Sequence, residues 1–272
     1  MSRIEDAMNK LARDTDATQA RSVVKVPGDV RETGRPAVDP GRPATGDVDG
    51  HIVCFHRPLS GLTENFKQIH IVIQNMLPEG SNKVIMFTSA YRGEGKTTAS
   101  VNFAAAVAHD TSRRIVVVDA DMRDPQVHEI LGVKVQHGFG DLLTTDAPVE
   151  SVVVRTPIPG LSAILCGELP PRPAELFGTD RSREIFAELK HRFDMVIVDT
   201  PPVLPVSDTV HMATFADGVI LIVEAARTSR KKVERAIHLL NNANASVMGF
   251  LLNKSQGGMA EYRKARYQYA RA

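Results

Sequence analysis

The stretch Val84-Ile85-Met86-Phe87-Thr88-Ser89-Ala90-Tyr91-Arg92-Gly93-Glu94-Gly95-Lys96-Thr97-Thr98 decides the fold. An apolar, β-branched run ends in a glycine-rich loop, and the loop passes directly into Thr97 to His109, whose Ala, Val and Phe content suits a buried helix. Strand, loop and helix in this order form a P-loop, with Ala90 standing where the common pattern has Gly. Gly93 and Gly95 let the backbone fold tightly, so that N–H groups and the positive end of the helix converge on phosphate oxygens. In this pattern Lys96 reaches the β and γ phosphates and the Thr97 hydroxyl ligates Mg²⁺.

Working outward, further strands are predicted at Ile115 to Val118, Leu161 to Leu165, Met195 to Val198, Val219 to Val223 and Val247 to Leu252, with helix-forming stretches such as Lys231 to Asn241 between them. Runs that are apolar on both faces and alternate with helices predict an α/β fold: a doubly wound, mostly parallel sheet covered on both sides. Ligands of such sheets bind beyond the carboxyl ends of the strands. Ahead of the P-loop, Phe66, Ile69, Ile73 and Met76 mark one face of a helix.

The flanking regions read differently. Residues 1–13 place Ile4, Met8 and Leu11 at helical spacing among charges, which predicts a short amphipathic helix. Residues 14–55 are mostly rich in Pro, Gly, Asp, Arg and Thr and are expected to be a disordered linker. A folded domain is expected over 56–256 and a flexible basic tail over 257–272. The 272 residues carry 33 Lys+Arg against 32 Asp+Glu, so no overall field favours nucleic acid as a partner. Cys54 and Cys166 lie far apart, and His128, His137 and His191 form no ligand-spaced pair, which argues against a disulfide framework or a zinc site. The apolar runs are strand-sized, and the charged start of the chain lacks a signal-peptide core; a cytoplasmic setting is expected.

Two other predicted strands end in carboxylates: Asp119, followed by Ala120-Asp121-Met122-Arg123, and Asp199, followed by Thr200-Pro201-Pro202. A lone Asp in such a place is often only a cap or turn former. Three carboxylates together with a P-loop are a different matter, because Mg²⁺ bound to a triphosphate takes hard oxygen ligands and a spare carboxylate can accept a proton from an attacking hydroxyl.

With these residues in view, the chain resembles the bacterial tyrosine autokinases of capsule and exopolysaccharide synthesis. Gly93-Glu94-Gly95-Lys96-Thr97-Thr98 is similar to their Walker A loop, Asp119-Ala120-Asp121-Met122-Arg123 to their D-x-D-x-R motif, and Asp199-Thr200-Pro201-Pro202 to their Walker B strand end. The likeness runs from about Glu64 to Lys254 and takes in Gly138-Phe139-Gly140-Asp141-Leu142-Leu143, the segment Gly167 to Leu176, and Leu251-Leu252-Asn253-Lys254. The resemblance implies ATP held by Gly93, Glu94, Gly95, Lys96, Thr97, Thr98 and Asn253. It implies Asp119 as the base on a tyrosine hydroxyl, with Lys96 and Arg123 as further catalytic groups. Thr97, Asp121 and Asp199 would serve Mg²⁺.

The family's assembly motif E-x-x-R-x-x-R reads Glu64, Lys67 and His70 here, and Lys lacks the planar bidentate fork of Arg. Tyr262, Tyr267 and Tyr269 are three of the four tyrosines and fall in the last eleven residues, among Arg263, Lys264, Arg266 and Arg271. The resemblance makes them phosphate acceptors reached in trans, and so implies self-association. It also implies a separate membrane protein that sets polymer chain length, holding the kinase at the membrane through the first helix or the Glu64 helix. Two alternatives share the fold: a partition or septum-positioning ATPase, whose signature Lys is replaced by Tyr91, and a catalytically silent nucleotide-binding adaptor.

Overall fold

The computed structural model describes residues 46–78, 82–110 and 113–255. The predicted first helix and the tyrosine-bearing tail lie outside the described residues. Among the described residues seven strands form one sheet in the order β3-β4-β2-β5-β1-β6-β7. They are β1 Lys83–Ser89, β2 Ile115–Asp119, β3 Val153–Arg155, β4 Leu161–Ile164, β5 Met195–Asp199, β6 Gly218–Glu224 and β7 Val247–Asn253. All neighbours are parallel except β3 and β4. The six predicted strands are present, each within a residue or so of its expected bounds. The three-residue β3 is an addition, too short to leave an alternating pattern in sequence.

Alternate residues of the central strands enter different cores. Val84, Met86, Val116, Val118, Val196 and Val198 face one core, packed under Phe139, Phe186 and Leu189. Ile85, Phe87, Ile115, Val117 and Ile197 face the other, under Phe66, Phe103 and Val107. The two-sided apolar runs thus have helices over each face, the condition for a parallel sheet. The helix Lys96–Asp110 is buried almost all round, and its Ala104, Ala105, Ala106 and Ala108 let it lie close on the strands.

On the helix Gly61–Met76 the buried positions are Thr63, Phe66, His70 and Ile73, whereas the predicted Met76 is exposed because the buried stripe ends one turn before the helix does. Residues 46–55 also correct the expected linker boundary. Val48, Ile52 and Cys54 are buried in the second core, and Val53–His56 form a helical turn. Three apolar side chains within seven residues were enough to dock a segment whose average composition is polar.

The Gly138–Leu143 and Gly167–Leu176 motifs pack against each other. Phe139 and Gly140 donate their N–H groups to the carbonyls of Leu165 and Cys166, and Asp141 accepts from the N–H groups of Gly138 and Glu168. A Cβ on Gly140 would lie 1.9 Å from the Glu168 carbonyl oxygen. Gly140→Ala is therefore expected to destabilise the protein by about 3 kcal/mol, read from urea unfolding; an unchanged midpoint would show that the two loops do not constrain each other.

Candidate functional site

The strand register builds the site. β5 lies between β2 and β1, with Asp119 opposite Asp199 and Asp199 opposite Phe87, so both strand-end carboxylates reach the edge from which the P-loop departs. Asp121 follows on the loop after β2. All three carboxylates are buried, at 0% exposure for Asp119 and Asp199 and 1% for Asp121.

Lys96 sits among them. Its Nζ lies 2.7 Å from Asp121 Oδ2, 3.7 Å from Asp199 Oδ2 and 3.1 Å from the Thr97 hydroxyl, which itself donates to Asp199 Oδ2 at 2.7 Å. Burial works against the ammonium charge, but Asp199 and Asp121 outweigh it and hold Lys96 protonated more firmly than usual. Burial, reinforced by the Asp199 charge, raises the proton affinity of Asp119 well above the ordinary carboxylate range. Burial also pushes Asp199 up to about 6 despite the opposing pull of Lys96 and Thr97. Asp119 keeps its orientation through the N–H groups of Asp121 (3.3 Å) and Val127 (3.1 Å).

The P-loop has positive φ at Gly93 (82°) and Gly95 (91°), a region that glycine enters without steric cost. Donors from the end of β7 hold its carbonyls: Asn253 Nδ2 donates to Glu94 O at 2.8 Å and Lys254 Nζ to Gly93 O at 2.7 Å. A cavity of about 490 Å³ covers the loop, with Lys96, Thr97, Thr98, Asp124 and Lys254 in its walls.

Three side chains expected in the site have partners within the protein. The Glu94 carboxylate, included in the nucleotide-binding run, accepts from the Tyr91 N–H at 2.8 Å and from the Thr228 hydroxyl. It braces the loop, as expected of a negative group that a phosphate would repel. Arg123, expected to be catalytic, forms a two-point fork on the buried Asp208, at 2.8 and 3.0 Å, and so orients the D-x-D-x-R loop. Asn253, assigned to ATP, spends its amide on the Glu94 carbonyl while lying beside Gly95, where a Cβ would meet it at 2.2 Å. Tyr91, which stands in place of the partition ATPases' signature Lys, carries Lys232 over its ring at 4.6 Å. Thr228, Asp208 and Val127 were missed, since each acts across 8 to 134 residues with no local motif to mark it.

Among the described residues no group of three His, Cys, Asp or Glu makes a ready-made metal site. The donors present are the Thr97 hydroxyl, Asp121 and Asp199, whose buried Oδ1 has no hydrogen-bond partner among the described residues. An incomplete set of hard oxygens fits Mg²⁺, which takes its remaining ligands from phosphates and water.

Fold and site together define a P-loop α/β domain. The AAA domain family matches residues 82–251, and the chain belongs to it. Its relatives include the tyrosine-protein kinase ptk of Acinetobacter johnsonii, 30% identical over 199 residues that cover 73% of this chain but 27% of the relative. The tyrosine-protein kinase YwqD of Bacillus subtilis is 29% identical, with 75% of this chain and 85% of the relative covered. The kinase domain of the Escherichia coli tyrosine kinase ETK superposes with a TM-score of 0.72 at 25% identity, covering 80% of this chain and 86% of that one. The chain therefore spans about a quarter of one of these curated relatives and most of the other.

The buried carboxylates set a pH dependence. Because Asp199 binds its proton more tightly when folded than the ordinary 3.8 allows, its burial lowers stability as pH rises from about 4 to about 6, and the full cost persists above that. Asp199→Asn is expected to stabilise the nucleotide-free protein at pH 7.5 by at most about 3 kcal/mol and much less at pH 4.5. Thermal melts at the two pH values test this; equal shifts at both would contradict it.

Proposed function

We propose that the protein is an ATP-dependent protein-tyrosine kinase that phosphorylates tyrosines of its own tail in trans. The observation that carries the reading is Lys96 set among Asp119, Asp121 and Asp199 at the mouth of a P-loop. The loop amides, the helix end and Lys96 bind and orient the triphosphate. Thr97, Asp121 and Asp199 would hold Mg²⁺, which supplies charge neutralisation on the phosphates. Asp119 takes the proton from the tyrosine hydroxyl. Phosphate arrival draws Lys96 away from Asp121 and Asp199, exchanging one set of anionic partners for another.

The acceptors are Tyr262, Tyr267 and Tyr269. Each phosphate adds about −1.5 to −2 charge near pH 7, so phosphorylation reverses the sign of a basic tail and loosens its attachment to a neighbour's acidic site. By the family resemblance the protein acts in capsule or exopolysaccharide production beside a membrane chain-length determinant, which holds it at the membrane. No helix among the described residues is long and apolar enough to cross a membrane. A partition-type ATPase is less well supported, since Tyr91 stands where its signature Lys would be and engages Lys232.

The test is labelled ATP with phosphotyrosine detection. Lys96→Ala should abolish transfer, but it also strips Asp121 and Asp199 of their counter-ion, so Lys96→Arg is the cleaner probe: it keeps the charge and loses the compact ammonium. Asp119→Asn should slow transfer at least about 100-fold while nucleotide affinity survives. Replacing Tyr262, Tyr267 and Tyr269 by Phe should remove most of the phosphate found by mass spectrometry. Normal transfer by folded Lys96→Arg and Asp119→Asn proteins would refute the assignment. Membrane retention in cells lacking the chain-length determinant would refute the proposed partner.

A further inference from the structure

Beside the P-loop lies a second cavity of about 550 Å³. Its walls include His51 and Val53 from the segment ahead of the Gly61–Met76 helix, Phe66 on that helix, and Leu252 and Asn253 at the end of β7. It shares Gly95, Thr98 and Lys254 with the cavity on the P-loop. A ligand whose phosphates rest on the loop therefore has a continuous path into it. Apolar walls with a few side-chain amides suit a flat ring with polar edges better than an anion.

One wall is separate from the sheet. Residues 46–57 form a strap that packs Val48, Ile52 and Cys54 into the core beside the P-loop helix and is hydrogen-bonded to that helix by the buried side chain of Asn102, at 3% exposure. Asn102 Nδ2 donates to the His51 carbonyl at 3.0 Å, and its Oδ1 accepts from the Cys54 N–H at 3.1 Å. Nδ2 also donates at 2.9 Å to the carbonyl of Thr98, one turn back in the same helix and in the wall common to both cavities. Asn is a poor helix former, and here it interrupts a helix otherwise rich in Ala, Val and Phe. Its bonds go to the strap and to the turn that carries Thr98. At its other end the strap is held by Asp49 N–H on the Ile130 carbonyl, 2.8 Å, in the helix Val127–Leu131 that begins with the Asp119 contact.

We propose that Asn102 is a positioning residue for the base end of the bound nucleotide: by clasping the strap it fixes one wall of the cavity that receives the nucleobase. The inference rests on nucleotide binding at the P-loop as proposed above. It separates two parts of the ligand, because the triphosphate meets the loop and Lys96 whereas the base meets a cavity that needs the strap in place.

The experiment measures calorimetric affinity of the full chain for Mg·ATP and for Mg·tripolyphosphate, which carries phosphates and no base. Asn102→Ala should weaken Mg·ATP about 10-fold and leave Mg·tripolyphosphate within about twofold. Val53→Trp, which fills the cavity without touching the clasp, should give the same split and carries the test if Asn102→Ala does not fold. Equal losses for both ligands would mean a general structural role and overturn the proposal, as would unchanged Mg·ATP affinity in either folded variant. A wild-type protein that binds both ligands equally would remove the base cavity while leaving the P-loop reading intact. One that binds neither would refute the P-loop reading itself.

Discussion

A lysine ammonium shared by buried carboxylates is the interaction around which this molecule is arranged. Parallel pairing of β2, β5 and β1 forces Asp119 and Asp199 to the same edge, and the turn after β2 adds Asp121. Without compensation these groups would repel one another in a poorly hydrated place. Lys96 offsets part of that cost, and the Thr97 hydroxyl and the N–H groups of Asp121 and Val127 offset more. The remaining imbalance appears in the raised proton affinities of Asp119 and Asp199. A site in this condition is ready to accept a cation and to give up its lysine to a phosphate, so the unfavourable electrostatics among these groups and their proposed chemistry have one source.

The loop geometry depends on the same strand ends. β7 supplies Asn253 and Lys254 to the carbonyls of Glu94 and Gly93, and the turn after β6 supplies Thr228 to the Glu94 carboxylate. That turn contains Ala226 at φ 61°, an unusual conformation for a residue with a Cβ, held by the surrounding bonds. The P-loop is thus braced from outside its own motif, by residues more than a hundred positions later in the chain.

The strap of residues 46–57 connects the two halves of the site. Asn102 ties it to the helix that begins at Lys96, and Asp49 ties it to the helix whose first N–H holds Asp119. The strap therefore links the phosphate loop to the carboxylate that serves as the proposed base. Ile71, Val72 and Met76 of the following helix are exposed.

Some of this was legible in the sequence because it is local. Two-sided apolar runs mark buried parallel strands, glycines at 93 and 95 mark a tight anion-binding turn, and an Asp closing a strand must lie at the sheet's carboxyl edge whatever the strand order. Lys96, Thr97, Asp119, Asp121 and Asp199 follow from those rules. What only the tertiary structure decided is who partners whom. Arg123 has the same charge whether it faces a phosphate or Asp208, and Glu94 sits inside a binding motif whether it touches the ligand or Thr228. Residues 46–55 read as linker by composition, yet Val48, Ile52 and Cys54 are buried because an apolar groove lies within reach. Composition and spacing report the energetics of a segment with its neighbours in sequence; burial and charge pairing depend on neighbours in space, and those exist only once the sheet has set its strand order.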